Sequence, residues 1–372
     1  MENPRKLFNF FSSETEEGRL RKMLLLPLSL LSFFYGLLIQ ARVYFYRLGI
    51  FRSCSLSCKV ISVGNITLGG TGKTPLVVWL AEWMQAQKIP VAILSRGYKG
   101  SFAGRHGIVS DGQSILMDAR QAGDEPYLLS KKLKGIPVLI GRDRRLSGQE
   151  AIEKFRARAV ILDDGFQHLP LKRDVNLLLV DSRTPFGNGR LFPRGRLREP
   201  LREAARADAL ILTKADLSDN IKKLKDKLLK WAPGRPVFAV RYAPVGVWDQ
   251  LRECALPLET LRGKNIFAFT GIGSPASFRR SLENLGGQVV GFSSFPDHYW
   301  YRRENLRELL KEAEEKSAEA LITTEKDSVR LEGFPPGKIP LWVLSVRHEF
   351  IGSERELFEN FLWKKLELGK KG

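Results

Sequence analysis

The sequence predicts an α/β protein. Its parts are a doubly wound, mainly parallel sheet around a phosphate-binding loop, a second, smaller α/β domain, and an N-terminal membrane-associated helix. Three observations predict this. From residue 59 onward, continuous apolar runs alternate with helical patterns, as parallel strands covered on both faces require. The segment GGTGKT at 69–74 joins one of those runs to a helical pattern, giving the strand–loop–helix order of a P-loop. An apolar stretch at 23–39 follows Arg19, Arg21 and Lys22 and leads into Arg42, Arg47 and Arg52, the layout of a helix in a bilayer surface.

The N-terminal segment, 1–52, comes first. Its apolar run contains Pro27 and Gly36 and falls short of the roughly 20 residues of a comfortable membrane span. Leu37, Leu38, Ala41, Tyr44, Phe45, Leu48 and Phe51 continue the apolar face, and no small-residue cleavage site follows. A helix lying in or dipping into an anionic surface fits this pattern, and a buried core helix is the competing reading. The chain's 60 Lys+Arg against 41 Asp+Glu give a net charge of +19, which implies an anionic partner: a membrane surface, a phosphorylated substrate or nucleic acid. Three cysteines, Cys54, Cys58 and Cys254, make no disulfide framework and suit a reducing compartment.

The first domain, 53–241, should contain strands at 59–63, 91–94, 137–140, 159–162, 176–180, 210–212 and 237–240. Helical patterns at 74–87, 125–133, 144–155 and 216–231 lie between them. Pro244, Gly246, Pro257 and Gly263 break the pattern, so 242–263 reads as a connection. A smaller α/β domain follows over 264–372. Its strands are expected at 265–269, 288–292, 320–323 and 341–346, and its helices at 275–285, 303–316 and 354–366.

The chemistry begins at the glycine-rich loop, Thr67, Leu68, Gly69, Gly70, Thr71, Gly72, Lys73 and Thr74. Glycines let successive N–H groups turn toward phosphate oxygens, and the following helix N-terminus adds partial positive charge. Lys73 would reach the β- and γ-phosphates and the Thr74 hydroxyl would sit on Mg²⁺. The strict Walker pattern asks for Gly where this chain has Thr67. A second apolar strand ends in Asp163 and Asp164, where carboxylates can reach the same metal. Asp124, within Gly-Asp-Glu-Pro at 123–126, opens a helix; it is either an N-cap or a carboxylate able to accept a hydroxyl proton. His298 stands between Asp297 and Tyr299, just past a strand. The loop FGNGRLFPRGRLREP at 186–200 carries Arg190, Arg194, Arg196, Arg198 and Glu199, suited to anion recognition and a possible metal ligand. LILTKAD at 210–216 is similar to the guanine-reading motif of GTPases. No switch-type DxxG follows an apolar strand.

Taken together, these stretches resemble the tetraacyldisaccharide 4′-kinases of lipid A biosynthesis. The residues that carry the resemblance are VGNITLGGTGKTP (63–75), SRGYKG (95–100), GDEP (123–126), GRDR (141–144), ILDDGFQH (161–168), the 186–200 loop, FPDHY (295–299) and TEKD (324–327). They run in consistent order over most of the chain. Thr67 looks like the family's own version of the loop. The resemblance implies transfer of the γ-phosphoryl of ATP, with Mg²⁺, to the 4′-hydroxyl of a tetraacylated glucosamine disaccharide 1-phosphate, giving lipid IVA. It implies work at the cytoplasmic face of the bacterial inner membrane, with a peripheral or monotopic attachment. The partners would be that anionic lipid and an anionic phospholipid surface, with no nucleic acid and no obligate protein partner.

By the same resemblance Asp124 is the base and His298 the histidine that pairs with it. Asp163, Asp164 and Glu199 match positions for metal and phosphate handling. Arg96, Tyr98, Arg144, Gln167, His168 and Arg198 match positions around the disaccharide headgroup. The extra arginines of the 190–198 loop receive no role. Two other classes stay open at this point: a GTPase-like nucleotide switch, favoured by LILTKAD, and a nucleic-acid-dependent ATPase, favoured by the positive charge.

Overall fold

The computed structural model describes residues 25–218, 220–333 and 339–367. The basic residues at 19–22, the first residues of the apolar run and the end of the lysine-rich tail lie outside them. The described residues open with helix α1 (Leu26–Arg47), strand β1 (Lys59–Gly64), helix α2 (Lys73–Ala86) and strands β2 (Val91–Ser95) and β3 (His106–Ser110). Next come α3 (Ala119–Ala122), α4 (Asp124–Lys132), β4 (Val138–Gly141), α5 (Arg144–Phe155), β5 (Ala159–Asp163) and β6 (Val175–Asp181). Then follow β7 (Ala209–Thr213), α6 (Ile221–Leu229), β8 (Val237–Asp249), β9 (Cys254–Leu256) and β10 (Asn265–Thr270). The chain ends with α7 (Pro275–Asn284), β11 (Gln288–Ser294), α8 (Arg303–Glu315), β12 (Ala320–Thr324), α9 (Glu325–Ser328), β13 (Leu341–Phe350) and α10 (Glu354–Leu366).

Two compact units share these elements. The first comprises residues 1–96, 143–241 and 349–372. Its strands run in the order β8–β7–β6–β1–β5–β2, every neighbouring pair parallel. β5, β6 and β7 are buried along their whole length, which is why their sequences read as unbroken apolar runs. Ile66, Phe166, Leu178, Val180, Leu210 and Leu212 belong to a core cluster on this sheet.

The second unit comprises 97–142 and 242–348. Here β11–β10–β12–β13 form a parallel sheet, β8 turns back through antiparallel β9, and β3 pairs antiparallel with β4. Phe267, Phe269, Tyr301, Leu306 and Leu309 fill one face of its core.

These units differ from the division that sequence order suggests. Residues 97–142, expected in the first domain, pack with the second unit, where β4 pairs antiparallel with β3. Ion pairs explain the placement: Lys326 with Glu125 at 2.6 Å and Lys132 with Glu325 at 2.7 Å tie α4 to α9. The C-terminal helix α10, expected in the second domain, belongs to the first. Phe358 packs its ring 5.4 Å from Trp79 and 5.0 Å from Phe238, and aromatic burial of this kind decides where an amphipathic helix docks. The helix expected at 216–231 is shorter, Ile221–Leu229 with an Asn220 cap. Lys214 enters a left-handed turn first, which ends the strand and delays the helix.

Candidate active site

In the first unit the glycine-rich loop joins β1 to α2 as expected. Gly72 stands at the helix N-cap with φ +90°, a conformation that a side chain disfavours. The loop is held on its flanks. Leu68 N donates to Arg196 O at 2.7 Å and Arg198 N to Ile66 O at 2.7 Å, so the 186–200 loop runs beside it as a short ribbon. On another side Thr213 Oγ1 donates to Thr71 O at 3.0 Å and Lys214 Nζ to Gly70 O at 3.2 Å, while Lys214 also pairs with Asp181. This is the role of LILTKAD that the sequence left unassigned: it braces the loop backbone. A strand end whose side chains turn toward a neighbouring loop leaves no periodicity to read.

Lys73 and the acidic strand end converge. Lys73 Nζ lies 3.3 Å from Asn65 Oδ1 and 3.4 Å from Asp164 Oδ1. Arg198 Nη1 meets the same carboxylate at 3.0 Å. Asp164 takes φ +51° directly after β5, which turns its carboxylate back toward the loop. Asp163, buried at the strand end, accepts from Ser95 Oγ at 3.3 Å.

Arg96, Arg144, Gln167 and His168 belong to the same unit. Gln167 Nε2 donates to Asn65 O at 2.9 Å. Burial, and then the neighbouring Arg144 charge, pulls His168 down to about 3, so its imidazole is neutral. Its Nε2 is buried and has no hydrogen-bond partner among the described residues. Burial also lowers Arg144, with Arg96 repelling it and Asp164 and Asp163 opposing the shift.

Glu199 departs from the metal-ligand expectation. It is fully buried, and its carboxylate pairs with Arg206. Burial raises its proton affinity above the usual carboxylate range despite that partner. Such an acid locks the 186–200 loop in place.

Helix α1 grips this same loop. Ser32 Oγ donates to Leu191 O at 2.9 Å and Tyr35 OH to Arg198 O at 2.9 Å. Arg42 Nη2 reaches Gln167 O at 3.2 Å and Arg47 pairs with Glu203 at 3.0 Å. A Cβ on Gly36 would meet Leu191 Cδ1 at 2.7 Å, so the helix approaches closely there. Away from this narrow seam Leu30, Phe33, Phe34 and Leu38 are exposed, Leu38 at 71%. The core-helix alternative is thereby set aside for the described part of the segment.

In the second unit α4 starts at Gly123, φ +90°, where a Cβ would lie 2.6 Å from Tyr98 O. Glycine alone lets the helix begin there, and the next residue is Asp124, only 7% exposed. Asp124 Oδ2 sits 2.6 Å from His298 Nδ1, and Oδ1 accepts from Glu125 N at 3.0 Å. His298 holds φ +61°, strained for a non-glycine residue and typical of a site where geometry matters more than comfort. Tyr98 approaches its ring at 6.3 Å, edge to face. Burial pushes the Asp124 carboxyl up, but the His298 hydrogen bond and charge outweigh it and hold the group below the usual carboxylate range. The pair is an ionised carboxylate oriented by an imidazole, the arrangement of a general base.

A hard divalent cation fits the first unit's donor set. Mg²⁺ prefers one or two carboxylates, a hydroxyl and substrate phosphates to an all-protein cage. Thr74 at the start of α2 and Asp163 and Asp164 at the end of β5 supply those donors. Among the described residues no group of three or more His, Cys, Asp or Glu side chains gathers into a cage.

Comparison with known proteins identifies the family. The sequence profile of the family described as tetraacyldisaccharide-1-P 4′-kinase matches residues 21–367. A tetraacyldisaccharide 4′-kinase from Desulfatibacillum aliphaticivorans is 41% identical over 351 residues, covering 92% of this chain and 93% of the relative. One from Syntrophus aciditrophicus is 41% identical over 355 residues, covering 93% and 94%. Among solved structures, the "apo" form of LpxK from Aquifex aeolicus in complex with ATP superposes with a TM-score of 0.74 at 33% identity, covering 93% of this chain and 99% of that one.

Proposed function

Because this chain belongs to the tetraacyldisaccharide-1-P 4′-kinase family, we propose that it transfers the γ-phosphoryl of ATP to the 4′-hydroxyl of a tetraacylated glucosamine disaccharide 1-phosphate with Asp124 as the base. The activity is that of a lipid A kinase. The observation that carries the mechanism is the 2.6 Å contact between Asp124 and His298.

The loop 67–74 binds the triphosphate through its backbone N–H groups, and Lys73 meets the charge that develops on the transferring group. Thr74, Asp163 and Asp164 would hold Mg²⁺, which when bound neutralises phosphate charge. Binding of that charge frees Asp164 from its present pairing with Lys73 and Arg198, so both cations become available to phosphate. Asp124 Oδ1 has a lone pair to spare and accepts the sugar hydroxyl proton. His298 keeps Oδ2 engaged and the carboxylate ionised. Arg96, Arg144, Gln167, His168 and Arg198 offer cations and a neutral imidazole to the headgroup, and Tyr98 offers a hydroxyl. Glu199 serves the loop rather than the metal.

Helix α1 sets the protein on a membrane, with its apolar face in the acyl region and its seam on the 186–200 loop. This fits a peripheral or monotopic enzyme on the cytoplasmic face of the bacterial inner membrane, where ATP and an anionic lipid meet. The test is incorporation of labelled γ-phosphate into tetraacyldisaccharide 1-phosphate in detergent micelles, with ³¹P NMR locating the new monoester. The expected result is a 4′-monoester made at a rate that added nucleic acid does not change. ATP hydrolysis without a lipid product, or stimulation by nucleic acid, would overturn the reading.

A further inference from the structure

We propose that the turn at residues 324–330 is the positioning element of the Asp124–His298 pair, with Arg330 the positioning residue that aims and charges Asp124. The proposal rests on the reading of Asp124 as base and adds a residue to it. It starts from Asp327, a carboxylate with no exposure. A buried carboxylate is tolerable only when its lone pairs are filled. Here they are: Thr270 Oγ1 donates at 2.7 Å, Gly271 N at 2.9 Å, Tyr301 OH at 2.9 Å and Thr324 Oγ1 at 2.6 Å. Arg330 Nη2 adds a fifth contact at 2.8 Å.

Arg330 is itself 1% exposed. Its Nε donates to Lys326 O at 2.9 Å and lies 3.8 Å from Asp124 Oδ2. The guanidinium is thus fixed in orientation by Asp327 and the turn backbone, and its edge faces the oxygen that His298 also engages. A guanidinium stays charged at every working pH, so this cation favours ionised Asp124 whatever the state of the imidazole.

The same turn fixes the helix that carries Asp124. Lys326 pairs with Glu125 in the first turn of α4, and Glu325 pairs with Lys132 in its last. Both ends of α4 are therefore tied to the turn that presents Arg330. Pairing with Asp327 accounts for a buried cation in the turn, but not for its edge lying 3.8 Å from Asp124 Oδ2. The groups facing Asp124 are His298 from the loop after β11, Arg330 and Lys326 from the turn, and Glu125 on its own helix. Of these Glu125 opposes the anion and His298 and Arg330 favour it.

The test uses the full chain in detergent with Arg330→Lys and Arg330→Gln. Lysine keeps a cation but cannot serve Asp327, the Lys326 carbonyl and Asp124 together. The proposal predicts an ATP KM close to wild type and a kcat lower by about 10- to 100-fold for Gln, less for Lys. It also predicts that the acid limb of the kcat–pH profile moves to higher pH, because removing the cation weakens the anion. If Arg330→Gln fails to fold, the limb in Arg330→Met, which also removes the cation, decides. Activity lost evenly at all pH with an unmoved limb, or kcat unchanged, overturns the proposal. Asp124→Asn, assayed in parallel, separates the two readings: wild-type turnover there sinks the base itself, whatever Arg330 does.

Discussion

Lys73 and Asp164 form an ion pair at 3.4 Å, and binding a triphosphate must replace it. Lys73→Ala should leave the fold intact and cut phosphoryl transfer on the order of 10³-fold or more. A melting curve together with a turnover assay checks both halves. The Asp124–His298 contact carries a pH consequence of defined sign. Asp124 is held below its ordinary range, so it is ionised at neutral pH and stays so as pH falls, and activity is lost only once it protonates. His298→Ala removes the donor that offsets burial. The acid limb should therefore move up in pH, and the combined Asp124→Ala, His298→Ala loss should be far from multiplicative, since a pair acts as a unit. At this scale the sequence was legible where chemistry dictates residue type. The sequence singled out Lys73, Asp164, Asp124 and His298 as candidates; the fold joins Lys73 to Asp164 and Asp124 to His298. Arg330 and Lys214 were not legible, because each acts through long-range contacts with a backbone or a carboxylate that spacing does not encode. The pairing of Glu199 with Arg206 was illegible for the same reason.

Helix α1 is the element whose sequence carries two messages. Its apolar face, with Leu30, Phe33, Phe34 and Leu38 in solvent, would be costly without a membrane. Its seam of Ser32 and Tyr35 touches the 186–200 loop, and Arg42 reaches Gln167 O beside it. The chain should sediment with anionic vesicles, and high salt should weaken this only partly. Each basic residue near the surface contributes about 1 kcal/mol that salt screens, whereas apolar burial is not screened. Binding abolished outright by salt would refute the apolar anchor. Gly36→Leu should keep vesicle binding, since the lipid face is unchanged, but lower activity on the lipid by about tenfold by prising the helix from Leu191. Equal vesicle binding and equal activity in that variant would show that the seam has no functional part. The strands were legible as apolar runs, but the antiparallel pairing of β3 with β4 was not. β3 reads HGIVS, too short and too polar to stand out, and β4 alone looks like any buried parallel strand.

At the scale of the molecule, sequence order concealed how the units are composed. Residues 97–142 fall between β2 and α5 in the chain yet build the second unit, and α10 ends the chain yet completes the first. Connections of that kind are set by packing between distant residues, such as Phe358 on Trp79 or Lys326 on Glu125, and local pattern carries no record of them. One consequence is that Asp124 and His298, 174 positions apart, belong to one unit. Their mutual geometry is therefore internal to a single packed core. The positive charge of the whole chain suits an anionic lipid disaccharide substrate. In the proposed mechanism Asp124 accepts the sugar hydroxyl proton as the phosphoryl group moves from ATP to that oxygen. The most direct measurement is rapid-quench phosphoryl transfer to tetraacyldisaccharide 1-phosphate by Asp124→Asn at saturating ATP, beside wild type. The account predicts a transfer rate lower by about 10²- to 10⁴-fold with ATP binding unchanged; a rate within about threefold of wild type would contradict it.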